Sequence, residues 1–315
     1  MNVLKLRWTS VAWSIAYLLL LLSLLTSLSI ITIFFLIVPV VVLYSTLSLR
    51  QFIMHLVPVW LITLIVAIQL EGRLGIYVAI LGIFFMVPGI VMGRLYKKNA
   101  SALRVIFTTG ITTLVEMLLL LIFATVVYKF NLAIYVKDIV ELSVAPMRAM
   151  ADINPDIADI FSPEFVRGLW NYTLQMIPFA LIISSFTMAV ITHAICRPIL
   201  EGMNYSVPRL RPARDWRLPR SLIWYYLLAV FLEYFVATNI TGVLAAFVLN
   251  FMPLIHIAFT IQTIGFVFFL GHHRKWNSFL PFLLALVVVL IPPLRIVGII
   301  DLAFPLREYI TRPKR

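Results

Sequence analysis

A long stretch without charge near the start of the chain sets the strongest limit on its fold. From Trp8 to Leu49 no residue is charged. One helix of that length, at about 1.5 Å per residue, would be about 60 Å long, which is twice the hydrocarbon thickness of a bilayer. The stretch therefore predicts two membrane-spanning helices, joined by a turn near Thr26–Ser29.

Composition extends this conclusion to the whole chain. Of the 315 residues, 63% are apolar and 12% are charged, against about 45–50% and about 25% in an average soluble domain. The charges form short clusters between long uncharged runs, which is the pattern of spans and loops. We therefore predict an all-α, polytopic integral membrane helix bundle that forms a single domain over residues 1–315.

Apolar runs of spanning length recur along the chain, and about eight transmembrane helices are expected. After the first two they cover residues 51–70, 74–93, 105–128 and 162–196, with two more inside 221–273 separated by a turn at Thr238–Gly242. A further apolar run, Trp276–Leu294, is broken by Pro292 and Pro293. Residues 276–306 are therefore expected to form either a ninth span or a re-entrant hairpin.

The distribution of charge predicts the orientation in the membrane. Basic residues concentrate in alternate loops, above all in residues 197–220, where Pro208, Pro212 and Pro219 prevent a continuous helix. The positive-inside bias places these loops and the amino terminus on the cytoplasmic side of a cell membrane. This topology explains the net charge of +12, so we expect no binding to nucleic acid.

One loop differs from the others in charge. Residues 129–167 carry more acidic than basic side chains, so they are expected on the outer side. Their apolar positions recur at helical spacing, which predicts short amphipathic helices on the membrane surface. Ser162-Pro163-Glu164 has the form of a helix start, with serine as the N-cap and proline at the first helical position.

Polar side chains within spans are costly and mark candidate sites. Glu116 lies near the middle of the fifth span and shares one helical stripe with Thr109 and Thr113. The candidate ligand or ion site comprises Glu116, Glu233, His256, Thr109, Thr113 and Asn250. The alternative is that these groups form hydrogen bonds between neighbouring helices.

Two patterns of small residues allow helices to approach closely. They are Ala12 with Ala16 in the first span and Gly89 with Gly93 in the fourth. Each pattern serves either packing within the chain or the docking of another membrane subunit.

The basic loop is a second candidate contact surface, through Arg209, Arg211, Arg214, Arg217 and Arg220. Guanidinium groups form paired hydrogen bonds with phosphate and carboxylate. The loop therefore either binds anionic lipid or an acidic partner, or it only sets the orientation of the protein.

The sequence contains no motif for catalysis or for a cofactor. It has no G-x-S-x-G, no phosphate-binding glycine loop and no C-x-x-C. Cys196 is the one cysteine, and no pair of histidines has the spacing of metal ligands. We therefore expect a protein that is not an enzyme and that uses no cofactor and no metal.

Several short motifs are spread over most of the chain. They are Pro39, Arg50, Pro88-Gly89, Gly93-Arg94-Leu95-Tyr96-Lys97, Asp215-Trp216-Arg217-Leu218-Pro219-Arg220, Gly298-Ile299-Ile300-Asp301 and Arg307. Together they resemble the YybS-like family of membrane proteins of Gram-positive bacteria, a domain-of-unknown-function family. In layout that family is similar to the substrate-binding S components of energy-coupling-factor (ECF) transporters and to the cell-shape protein MreD.

Two functions follow from the residues and the resemblance. The first is a substrate-binding subunit of a multicomponent transporter, with a solute of open identity near Glu116, Glu233 and His256. S components often dock on a coupling subunit through Ala-x-x-x-Ala, which Ala12 and Ala16 match, and a partner ATPase would supply the energy. The alternative is a scaffold for cell-envelope or division machinery that binds proteins through Arg209–Arg220. Membrane lipids are partners in both.

Overall fold

The computed structural model describes residues 3–151, 162–239, 242–304 and 306–311. Within these ranges all regular secondary structure is helical and no strand occurs, as the sequence predicts. The chain divides into two compact units, one of residues 1–131 and 181–210 and the other of residues 132–180 and 211–315. That the whole chain acts as a single domain stays a prediction.

Thirteen helices are numbered here along the described chain. They are α1 (Val3–Ser23), α2 (Ser29–Thr46, with a 3-10 turn at Ile33–Phe35), α3 (Leu49–Glu71), α4 (Ile76–Lys97), α5 (Ala102–Tyr128), α6 (Leu132–Ala151), α7 (Pro163–Gln175), α8 (Ile177–Gly202), α9 (Leu222–Asn239), α10 (Val243–His273), α11 (Phe279–Leu290), α12 (Ile296–Ala303) and α13 (Leu306–Thr311). The break between α1 and α2 falls where the sequence predicts a turn.

The number of spans can be compared with the prediction. Among the described residues six helices are long and apolar enough to cross a membrane: α2, α3, α4, α5, α8 and α10. The apolar parts of α1 (Trp8–Ser23) and α9 (Leu222–Phe235) are shorter. All eight predicted spans therefore exist as apolar helices. The protein is a multi-pass membrane helix bundle.

The ninth apolar run forms a bent pair of helices. α11 and the segment Pro292–Ala303, which includes α12, meet at an angle of 112°. The bend lies at Pro292-Pro293, since proline cannot continue the hydrogen-bonding pattern of α11. This geometry fits a broken span or a re-entrant loop, so both predicted alternatives stand. The basic tail, residues 312–315, lies outside the described residues.

The first unit is built around α2. Its residues from Leu36 to Leu43 are buried, and its main neighbour is α4. A methyl group added at Gly89 would overlap the side chain of Val40, and one at Gly93 would overlap Tyr44. The two glycines therefore allow α4 to approach α2 of the same chain closely, as small residues do in membrane bundles.

The second unit is built around α10. Ala229 of α9 and Leu302 of α12 are fully buried in a cluster with α10 residues such as Ile255 and Phe259. Within the same unit α6 and α7 form a hairpin, in which Val136, Val140 and Val144 pack against Val166. The predicted amphipathic helices are therefore present, and their position outside the membrane stays a prediction.

The sixth span differs from its prediction at the start. One helix was expected from Ser162 to residue 196, but α7 ends at Gln175 and α8 begins at Ile177. Asn250 of α10 bridges the break: its Oδ1 accepts the N–H of Phe179 at 2.8 Å, and its Nδ2 donates to the carbonyl of Gln175 at 2.8 Å. A side chain thus satisfies backbone groups that a continuous helix would have paired.

The same span also ends later than predicted. α8 continues to Gly202, so residues 197–202 of the predicted basic loop are helical. Arg197 and Glu201, one turn apart, form an ion pair at 3.2 Å on this last turn. At the other predicted turn α9 ends at Asn239 and α10 begins at Val243, while Ile240 and Thr241 lie outside the described residues.

Candidate functional site

The second unit contains a buried ion pair between two short helices at the end of the described chain. Arg307 of α13 donates from Nε and Nη2 to the carboxylate of Asp301 in α12, at distances from 3.0 to 3.3 Å. Asp301 is fully buried, and only 10% of the Arg307 side chain is exposed. The guanidinium also lies 5.2 Å from the centre of the Phe269 ring.

Gln262 of α10 joins this pair to the loop before α9. Its Nε2 donates to Oδ2 of Asp301 at 2.6 Å, and its Oε1 accepts the backbone N–H of Leu218 at 2.8 Å. Gln262 is fully buried; its bond to Asp301 is buried and its bond to Leu218 is partly buried. One amide side chain therefore connects a membrane helix, the terminal helices and the loop.

The loop before α9 is held by further hydrogen bonds and by close packing against α10. Nη1 of Arg307 donates to the carbonyl of Arg214 at 3.0 Å. The indole N–H of Trp216 donates to the carbonyl of Arg211 at 2.8 Å, across a 3-10 turn at residues 213–215. A methyl group at Gly265 of α10 would lie 3.0 Å from the carbonyl oxygen of Trp216, so this glycine permits the close approach of the loop.

We call Arg211–Arg220 the arginine segment. Its arginines, Arg211, Arg214, Arg217 and Arg220, all have exposed side chains. Arg217 and Arg220 both lie 3.9 Å from Glu308, and Arg214 lies 3.9 Å from Asp215. Such exposed pairs are weak. The backbone of the segment is thus fixed from inside while its guanidinium groups face outward.

Arg209 is the remaining arginine that the sequence assigns to this surface, and it belongs to the first unit. It pairs with Glu201 at 3.1 Å, and 70% of its side chain is exposed.

Several of the family motifs meet at this site. Trp216 and Leu218 of the arginine segment, Asp301 and Arg307 take part in the bonds just described. Gly298 contributes as well, because its N–H donates to Oγ1 of Thr263 on α10 at 2.9 Å. Motifs far apart in sequence therefore form one connected network.

The candidates for the predicted intramembrane site are divided between the two units. In the first unit Thr109 and Thr113 are buried and Glu116 is partly buried on the same helix, α5. The hydroxyl of Thr113 donates to the carbonyl of Thr109 at 2.9 Å, while Oγ1 of Thr109 has no partner among the described residues. The predicted polar stripe is present.

The other candidates of that site lie in the second unit. Glu233 is exposed on α9. His256 is partly buried on α10, with its ring 6.3 Å from that of Tyr226. Asn250 is occupied by the three backbone groups of Gln175, Phe179 and Ala246. Asn250 therefore links α10 to the break between α7 and α8, and its part in a ligand site stays a prediction.

The two small-residue patterns differ in their exposure. Gly89 and Gly93 pack within the chain, as described above. Ala12 is exposed and Ala16 is partly exposed on α1, so the alanine pattern is open to a neighbour. Docking of another subunit there stays a prediction.

Several buried polar groups have no counterpart among the predicted site residues, and two of them show what the sequence reasoning missed. One is Gln262, an uncharged side chain in a long apolar span. The other is His193 of α8, whose Nδ1 lies 2.7 Å from the hydroxyl oxygen of Tyr96 of α4. The signal available in the sequence was a polar residue inside an apolar run.

The chain belongs to the family described as "Predicted membrane protein (DUF2232)", whose model matches residues 14–302. The chain is also similar to "Uncharacterized protein YybS" of Bacillus subtilis (strain 168), with 24% identity over 140 residues. That alignment covers 43% of this chain and 45% of the relative. The resemblance drawn from the short motifs is confirmed. No solved structure matches.

Proposed function

We propose that this protein is a non-catalytic membrane scaffold, which binds an acidic partner of the cell-envelope or division machinery through the arginine segment. The observation that carries this proposal is the way the segment is held. Gln262 and Arg307 fix its backbone from the buried side, and its guanidinium groups stay exposed.

A fixed backbone favours binding because less conformational entropy is lost when the partner docks. A loop whose basic residues only set the membrane orientation needs charge but no defined shape. The buried Gln262–Asp301–Arg307 network gives the loop a defined shape, which membrane orientation alone does not require. Arginine is also the residue best suited to paired hydrogen bonds with carboxylate or phosphate.

The experiment is affinity purification of the tagged protein from its own membranes in mild detergent, followed by mass spectrometry. The test variant replaces Arg211, Arg214 and Arg217 with Gln. The matched control replaces Arg94, Lys98 and Arg104, which are exposed and predicted on the same side, with Gln. The scaffold predicts partners that are lost from the test variant and retained by the control. An identical set of partners in all three preparations would exclude the segment as the docking surface.

A second function is supported by a different observation. Glu116 and Thr109 form a polar stripe on α5, and Thr109 Oγ1 has no partner among the described residues. A substrate-binding subunit of a multicomponent transporter would hold its solute against such a stripe, and the exposed Ala12 would contribute to docking on a coupling subunit. An ATPase pair and a stoichiometric metabolite in the same purification would favour this function over the scaffold.

A further inference from the structure

The hairpin of α6 and α7 has a cleft that the functions above do not use. Its volume is about 300 Å³. The lining side chains are Lys137, Val140, Glu141, Arg148, Pro163, Val166, Arg167 and Trp170. All of these described lining residues belong to α6 and α7 and to one compact unit.

The cleft has a positive lining. Three of its side chains are basic and one is acidic, and the acid, Glu141, already faces Lys137 at 3.7 Å. Among the described residues neither Arg148 nor Arg167 takes part in an ion pair. Within the part of the chain that the structure describes, two guanidinium groups are therefore available to an anion.

The start of α7 adds to this potential. Trp170 donates its indole N–H to the carbonyl of Ala133 at 3.0 Å, which sets the later part of α7 beside the start of α6. The start of α7, at Pro163, consequently lies towards the later part of α6, where Arg148 is. Pro163 has no N–H and the N–H of Phe165 is bound by Oγ of Ser162 at 3.3 Å, so it is the helix dipole that contributes partial positive charge at this end.

The remaining lining is apolar. Val140 and Val166 are buried in the hairpin core, and the bond to Ala133 fixes the ring of Trp170. A ligand in the cleft thus meets cationic groups together with an aromatic surface. This combination suits a phosphate ester whose organic part is flat or apolar better than it suits a bare ion.

The two sides of α6 indicate where the cleft opens. Tyr135, Ile139 and Leu142 form an exposed apolar stripe at spacings of four and three residues. Lys137 and Glu141 lie two residues after members of that stripe, which at about 100° per residue places them on roughly the opposite side of the helix. With the apolar stripe on the membrane surface, the cleft faces water.

We propose that this cleft binds the phosphate group of a phosphate monoester, held between Arg148 and Arg167 with its organic part against Trp170. Glu141 weakens the binding, because its carboxylate repels the phosphate. The site is independent of the arginine segment and of the scaffold function.

The test uses the full-length protein in nanodiscs of phosphatidylcholine. Phenyl phosphate, inorganic phosphate and phenol are titrated in turn, and binding is followed by ligand-observed NMR. The variants are Arg148→Gln, Arg167→Gln and Glu141→Gln. Arg73→Gln is the matched control, since Arg73 is exposed, predicted on the same side of the membrane and absent from the cleft.

Phenyl phosphate is expected to bind more tightly than inorganic phosphate and more tightly than phenol. Each cleft arginine variant should weaken it about tenfold, the effect of losing one charge-assisted hydrogen bond, and Arg73→Gln should leave it unchanged. Glu141→Gln should strengthen binding, a result that damage to the fold would not produce. Equal affinity in wild type and both cleft arginine variants, or weaker binding in Glu141→Gln, would overturn the proposal.

A second arm identifies the source of the phosphate. Nanodiscs that contain dioleoyl phosphatidic acid offer the same group as a lipid headgroup. If this lipid displaces phenyl phosphate in wild type but not in Arg167→Gln, the site takes a headgroup. If phenyl phosphate binds equally in both kinds of nanodisc, the site takes a soluble ester. Displacement that is equal in both proteins would place lipid binding elsewhere and overturn the assignment of phosphate to Arg167.

Discussion

Arg307 makes three hydrogen bonds to Asp301, six residues before it, at 3.0, 3.1 and 3.3 Å. The carboxylate is fully buried and accepts a fourth bond from Gln262. Burying both charges is costly, so the removal of either partner leaves an unpaired buried charge and destabilises the fold. The two short helices α12 and α13 are thereby fixed to α10 and to the arginine segment.

The first prediction concerns this carboxylate. Asp301→Asn leaves the guanidinium of Arg307 buried without an anion, and we expect a loss of about 3–5 kcal/mol in the free energy of unfolding. Thermal unfolding of the purified protein in detergent measures the effect. Asp215→Asn is the matched control, because 54% of that side chain is exposed, and it should change stability by about 0.5 kcal/mol or less.

A double variant separates the charge from other effects of Asp301→Asn. Adding Arg307→Met removes the unpaired cation, so the double variant should be more stable than Asp301→Asn alone. If the second substitution lowers stability further, the buried charge is not the cause of the loss.

The second prediction concerns the contact between α12 and α10. Gly298→Ala would place a methyl group onto the carbonyl of Phe259 and near Thr263, so it should destabilise the protein and separate the two helices. Gly168→Ala in α7 meets no atom within 4 Å and should stabilise its helix by up to about 1 kcal/mol. Opposite shifts of the unfolding temperature are therefore expected, and equal shifts would argue against the tight contact.

Much of the fold could be predicted because the bilayer imposes simple rules. The uncharged run from Trp8 to Leu49 exceeds one span, and the structure indeed divides it between Ser23 and Ser29. Pro292 and Pro293 predicted a break in the last apolar run, which bends there. Such features depend on span length and on the missing N–H of proline, and both can be read locally.

The network at Asp301 could not be predicted in the same way. Asp301, Gln262 and Leu218 are far apart in sequence, and their contacts depend on how α10 packs against the end of the chain. Short motifs pointed to Asp301 and Arg307 through the family resemblance, but spacing alone did not pair them. Gln262 carried no charge and belonged to no motif, so its central position became visible only in the structure.

The third prediction tests the transporter alternative. If a solute binds on α5, Glu116→Gln should abolish the binding of the co-purifying small molecule and leave membrane insertion unchanged. Glu71→Gln at the end of α3 is the control, because Glu71 is exposed and is not a candidate for this site. Mass spectrometry of the extracted ligands gives the result, and normal ligand content in Glu116→Gln would remove that residue from the site.

The fourth prediction is the orientation in the membrane. In a Cys196→Ser background, single cysteines replace Arg73 and Arg214, both of which are exposed. A membrane-impermeant maleimide should label position 73 in intact cells and position 214 only after permeabilisation, because positive-inside bias places the arginine segment in the cytoplasm. The reverse pattern would invert the topology and place the segment outside.

The most direct test of the central claim leaves every arginine in place. Gln262→Ala removes the bonds to Leu218 and Asp301 that hold the arginine segment, and Gln69→Ala, at an exposed position of α3, is the control. Both are purified by affinity, with the folded, membrane-inserted amount equalised. The partner to be measured is the one that is lost when Arg211, Arg214 and Arg217 are replaced. We predict that Gln262→Ala recovers far less of this partner than wild type does, while Gln69→Ala recovers it fully. Full recovery by Gln262→Ala would contradict the claim that the held shape of the segment creates the docking surface.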